Sequence, residues 1–235
     1  MTQTNRGGNR YFDIITASFV AVLLISNIAS TKIVEMWRFT FDGGTVIFPL
    51  AYIFGDVLTE VYGYARARRA IWTGFFWIAV AAGVLALIDA LPAAPEYELS
   101  ESFSAILGQT PRIVAGSLAA FFAGAFVNSF VLARLKLWTD GRMLWTRTIG
   151  STLIGQAVDT AVFLTIAFGG VYSNAALWDI FESNYVFKVG VEILFTPITY
   201  AVVTYLKRAE GQDVYDRATD FNPFRFFTAR GQAAR

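Results

Sequence analysis

The sequence predicts an all-α, polytopic membrane protein with six transmembrane helices, and three observations carry that prediction. Of the 235 residues, 55% are hydrophobic and only 16% charged, against about a quarter in soluble domains, so a soluble fold of this length would lack polar surface. The apolar residues gather into six stretches, each near the ~20 residues that cross ~30 Å of hydrocarbon. The basic residues fall in alternate loops. The runs are too long and continuous for the roughly ten-residue alternation of a membrane barrel.

Segment one, 11–33, opens behind Arg6 and Arg10. Five further spans follow it, which makes it an uncleaved helix rather than a signal peptide. Segment two, 45–64, starts after Gly43-Gly44 and holds Pro49. Those features suit a broken or partly re-entrant helix of the kind that builds transporter sites, although proline is common in membrane helices in general. Segment three, 70–91, is uncharged to Ile88, and segment four, 113–133, is uncharged throughout. Segment five covers 148–171, and segment six covers 185–206 with Pro197 inside it. Residues 1–210 form the membrane domain, and 211–235 an interfacial or disordered tail whose Phe221–Phe227 stretch mixes aromatics with Arg225.

Fifteen of the 19 Lys and Arg fall at the N-terminus, in the second and fourth loops and in the tail, whereas the third loop holds Glu96, Glu98 and Glu101 and the fifth Asp179 and Glu182. By the positive-inside rule both termini are cytoplasmic.

Polarity inside the spans is the informative feature. Asp56 lies eleven residues past Thr45, roughly 16 Å in at ~1.5 Å per residue and so near the midplane. Glu60 follows one turn later on the same face. Gln156 and Asp159 share a face at i, i+3, and Lys188 and Glu192 at i, i+4. Each ionisable group at mid-bilayer costs about 2.5–3.5 kcal/mol, so Asp56, Glu60, Asp159, Lys188 and Glu192 together cost on the order of 10 kcal/mol. They must face a bundle interior or a wet cavity. Lys188 and Glu192 are either an intrahelical ion pair or part of a site. Asn128 and Ser129 read as interhelical glue. Asp56, Glu60 and Asp159 against one buried base leave an acidic surplus, which must be protonated, hydrated or matched by a ligand.

The chain has no Cys and no His, which excludes disulfides, thiolate nucleophiles and His-based relays. No glycine-rich phosphate loop or metal-ligand spacing is present, so neither cofactor nor metal is expected. The net charge of +1 provides no field for nucleic acid.

Several stretches carry a resemblance: Ser26-Asn27-Ile28-Ala29-Ser30-Thr31-Lys32, Phe48-Pro49-Leu50, Gly55-Asp56-Val57-Leu58-Thr59-Glu60-Val61-Tyr62-Gly63, Ser151 to Asp159, and Lys188, Glu192, Pro197 and Tyr200. Together they resemble the bacterial queuosine precursor transporter family, also called vitamin-uptake-transporter-like, over about 11–207. The resemblance implies a six-helix inner-membrane importer of the cyano and aminomethyl 7-deazaguanine precursors of queuosine, with kinship to the binding subunits of energy-coupled vitamin transporters. On that reading Asp56, Glu60 and Asp159 take the ring and amine, and Asn27 and Gln156 add hydrogen bonds. Lys188 and Glu192 orient or gate the site, and Tyr52 or Phe163 stacks the base. The expected partners are the small-molecule substrate, the lipid bilayer, protons as coupling ion and a second copy in a homodimer. Alternatives are a substrate-binding subunit of a larger uptake complex and, less favoured, an integral-membrane enzyme.

Overall fold

The computed structural model describes residues 10–29, 32–36, 39–107, 111–170, 173–217 and 219–224. Six of its helices are long and apolar enough to cross a membrane. In chain order they are α1 (Phe12–Ala29), α2 (Gly44–Tyr62), α3 (Tyr64–Asp89), α5 (Pro111–Trp138), α6 (Leu144–Phe168) and α7 (Asn174–Glu210), with a short α4 (Ser100–Leu107) between α3 and α5. All six expected spans are present.

Their ends differ from the expected ones for local reasons. Segment one stops at Ala29, and Ile33–Met36 (β1) pairs antiparallel with Phe39–Asp42 (β2), Ile33 opposite Asp42 and Met36 opposite Phe39. The run Ile33-Val34 is β-branched and suits a strand. Ser30 and Thr31 of the quoted motif lie outside the described residues. α3, α6 and α7 begin before their apolar runs, carrying Arg66, Arg68, Arg147 and Trp178 into helix.

The expected break in segment two is absent. α2 runs unbroken through Pro49, and α7 through Pro197, because each proline removes only one N–H from a long ladder. The break falls instead at Gly63, the single residue between α2 and α3. Its φ is 83°, a left-handed conformation that favours glycine.

α2 is the central element. Two-thirds of its span is buried, against 17% for α1 and for α3. α5 and α6 pack on each other more extensively than any other pair. The start of α1 and the end of α7 meet, since Glu210 accepts from the backbone N–H of Tyr11 (2.7 Å) and Arg10 (3.2 Å) and from the Tyr62 hydroxyl (2.9 Å). These two chain ends therefore share one end of the bundle.

Candidate functional site

α2 projects Tyr52, Asp56 and Glu60 at successive four-residue steps from the most buried stretch of the bundle, so all three stand on one helix face. The neighbouring helices sort them into two separate clusters.

In the first cluster, Asn128 of α5 donates to Asp56 Oδ1 at 2.6 Å. Tyr52, Asp56, Asp159 and Glu192 lie near one another in this buried stretch, with the Tyr52 hydroxyl and Asp159 both beside Gly124. Lys188 reaches across from α7 to Asp159 of α6 at 2.8 Å, over the ring of Phe48. The intrahelical alternative, Lys188 with Glu192, is therefore not what forms. Lys188 instead turns toward α6, and among the described residues Glu192 has no cation.

Nine buried side-chain atoms of α2, α5, α6 and α7 have no hydrogen-bond partner among the described residues: Tyr52 OH, Asp56 Oδ2, Asn128 Oδ1, Thr152 Oγ1, Gln156 Oε1 and Nε2, Thr160 Oγ1, and both carboxylate oxygens of Glu192. Thr152, Gln156 and Thr160 recur every four residues and present one polar stripe of α6. Asp56 and Gln156 are fully buried and Glu192 is 1% exposed. Buried polar groups are almost always paired in folded proteins, and this concentration of acceptors and donors has the chemistry to hold a hydrogen-bonding ligand. A small cavity, apolar apart from Tyr52, Asn128 and Ser129, adjoins it between α1, α2, α3 and α5.

Close helix approach holds these groups together. A Cβ at Gly124 of α5 would stand 2.5 Å from the Tyr52 hydroxyl and 2.7 Å from Asp159 Cβ. One at Gly155 of α6 would stand 2.8 Å from Asn128 Cβ. Only glycine lets α5 and α6 draw Asn128, Gln156 and Asp159 toward α2.

Glu60 belongs to the second cluster, one turn toward the end where α1 and α7 meet. Arg147 grips it through Nη2 to Oε1 (2.6 Å) and Nε to Oε2 (3.2 Å), and Lys207 binds Oε1 at 2.7 Å. Lys136 lies 3.6 Å from Oε1 and donates to the Glu60 carbonyl, Asp213 and the Val214 carbonyl. Burial alone would raise the Asp213 carboxyl, but the ammonium groups of Lys136 and Lys207 outweigh it and hold it below its ordinary value. Of the three acids expected in surplus, Glu60 and Asp159 are paired, and among the described residues only Asp56 has no cation, a position it shares with Glu192. Arg147, Lys136 and Lys207 count as loop or tail bases by position in the sequence, yet they turn inward because their helices extend past the apolar runs.

Of the other expected site residues, Asn27 is half-buried near the end of α1 and makes no hydrogen bond with the acids among the described residues. Phe163 meets Phe168 edge-on at 5.7 Å. Asn128 is more than glue, because it holds the central acid, whereas Ser129 does join helices, accepting from Thr59 at 3.1 Å. Thr152 and Thr160 escaped the sequence reading, although their four-residue spacing about Gln156 is visible there.

The sequence profile of the family described as "Putative vitamin uptake transporter" matches residues 42–202. That stretch contains Tyr52 through Glu192 and stops short of Lys207. A Bacillus subtilis (strain 168) protein named "Probable queuosine precursor transporter" is 32% identical over 177 residues, covering 75% of this chain and 77% of its own length. The Escherichia coli (strain K12) "Queuosine precursor transporter" is 25% identical over 199 residues, covering 83% of this chain and 87% of its own. A Haemophilus influenzae protein, also named "Probable queuosine precursor transporter", is 26% identical over 172 residues, covering 68% and 67%. No solved structure matches the chain. With its six membrane-crossing helices and a profile match over most of its length, the chain is a multi-pass membrane protein that belongs to the vitamin uptake transporter family.

Proposed function

We propose that this protein imports 7-deazaguanine precursors of queuosine across the bacterial inner membrane, with its basic end in the cytoplasm, and that it carries its cargo without transforming it. The observation that carries the reading is the set of unpartnered buried atoms between α2, α5, α6 and α7. In an apolar interior each such atom costs several kcal/mol when unpaired, and a ligand of matching chemistry removes that cost. A guanine-like edge presents paired N–H donors, which a carboxylate accepts in a fork, while an amide matches its carbonyl and adjoining donors. Asp56 and Glu192 are the acceptors in this assignment and Gln156 the amide. Tyr52 and Asn128 complete the polar wall, and an aminomethyl cation offsets the negative charge. Lys188 and Asp159 orient the floor of the site as a pair. The names of the relatives point to the same cargo. Asp56 and Glu192, without cations of their own, also provide the proton sites that coupling to a pH gradient requires.

The test uses a strain unable to make the precursor, with queuosine in tRNA as the readout. Asp56→Asn and Gln156→Leu should each abolish salvage at low external precursor, and salvage at wild-type level in both would refute the assignment. Uptake by the purified chain in liposomes, with and without a pH gradient, separates a self-sufficient transporter from a binding subunit that needs a partner.

A further inference from the structure

The end of α7 remote from Glu60 carries side chains that the site does not use. Trp178 and Phe181 stack with centroids 5.4 Å apart and planes 16° apart, and Phe181 and Tyr185 stack at 5.6 Å and 10°. Elsewhere among the described residues the aromatic pairs cross at 32° or more, so this near-parallel ladder stands apart from ordinary packing. Its members recur at 178, 181 and 185, and the next two residues of the same three-and-four spacing are Lys188 and Glu192. The ladder is therefore the continuation of the helix stripe that faces the site.

Exposure falls steadily along the stripe. Trp178 is 64% exposed, Phe181 and Tyr185 are half-buried, and Glu192 is 1% exposed. The Tyr185 hydroxyl donates to the Leu153 carbonyl of α6 at 3.1 Å, which fixes the ladder against the same helix that carries Gln156 and Asp159. Fourteen residues separate Trp178 from Glu192, about 21 Å along the helix. α7 has 37 residues, about 55 Å, so it outruns ~30 Å of hydrocarbon and carries Trp178 out toward the mouth. A belt of interfacial aromatics accounts for rings at this depth. It does not account for near-parallel stacking on the site-facing stripe.

We propose that Trp178, backed by Phe181 and Tyr185, forms an access subsite on whose open ring face a planar heteroaromatic cargo stacks before it descends to Asp56 and Glu192; this rests on the cargo assignment made above. Flat rings stack on aromatic side chains regardless of their hydrogen-bonding edges, so the ladder captures bases as a class and leaves discrimination to the polar cluster below.

The test is uptake of a labelled 7-deazaguanine base by the intact chain in liposomes, with KM and Vmax resolved. Trp178→Leu and Phe181→Leu should each raise KM about tenfold and leave Vmax within about twofold, and Trp178→Phe should restore the wild-type KM. Unchanged KM in both leucine variants, or a phenylalanine variant as impaired as the leucine one, would overturn the proposal. If the chain binds the base without transporting it, the same comparison is read in the association rate. Asp56→Asn, run alongside, tests the cargo site by itself: its failure to impair uptake sinks the site assignment, whereas unaffected leucine variants sink only the ladder. A wild-type chain that neither binds nor transports the base overturns both.

Discussion

Asp159 and Lys188 are 5% and 13% exposed and stand 2.8 Å apart on different helices, so neither charge has water to turn to when the other is removed. Breaking a buried pair from one side costs about 3–5 kcal/mol, far more than an exposed pair contributes. Lys188→Met should lower stability by that amount, and Asp159→Asn added to it should return most of the loss. Thermal melting of the detergent-solubilised variants checks this, and a double variant no more stable than the single one would show that the pair is not self-contained. Asp56 differs in kind. Among the described residues its side chain has one hydrogen bond, from the neutral amide of Asn128, so Asp56→Asn should leave folding largely intact while it removes binding.

Helix approach decides whether these residues meet at all. Gly124 and Gly155 bring α5 and α6 to a separation that no side chain tolerates. Gly124→Ala should therefore destabilise by about 1–3 kcal/mol through overpacking and reduce uptake by displacing Tyr52 and Asp159. Gly83→Ala in α3 and Gly190→Ala in α7 meet nothing within 4 Å and should be neutral or slightly stabilising in the same melting assay. Equal effects at all three glycines would mean that intrinsic helix preference, not contact, governs the α5–α6 crossing.

Across the whole molecule, one end is closed by the chain's own tail. Arg68 donates to the Asp220 and Asn222 carbonyls at 2.9 and 2.6 Å, and Trp72 donates to the Pro223 carbonyl at 2.7 Å. Asp216 accepts from the Tyr64 N–H at 3.0 Å, and Phe221 packs between Tyr64 and Phe130. Asp213 ties this segment to Lys136 and Lys207 and, through them, to Glu60. Because its folded value lies below the ordinary carboxylate value of 3.8, its contribution is present above that pH and is lost as pH falls through the folded value. The protection of 211–217 against hydrogen exchange, taken relative to the intrinsic rate at each pH, should hold from neutral pH to about pH 4 and fall below it. Asp213→Asn should show the faster exchange already at neutral pH, and a variant as protected as the wild type would remove Asp213 from the latch.

The number of spans, their order and the collection of bases on alternate loops follow from the sequence alone. Bilayer thickness sets a length that apolar runs either meet or miss, and a charge at mid-depth is costly whatever surrounds it. Both are local properties, so Asp56, Gln156, Asp159 and Glu192 were legible from depth alone as polar groups that the fold must bury. Which acid meets which base was not legible. Local spacing pairs Lys188 with Glu192, yet the rotation of α7 against α6 gives Lys188 to Asp159. Glu60 shares a face with Asp56, yet three cations from α5, α6 and α7 claim it, 76 to 147 positions away along the chain. Pairing of that kind depends on helix rotation and on the approach that Gly124 and Gly155 permit, which only tertiary packing sets. By that packing Glu60 is held among three cations, and among the described residues Asp56 and Glu192 are left without one.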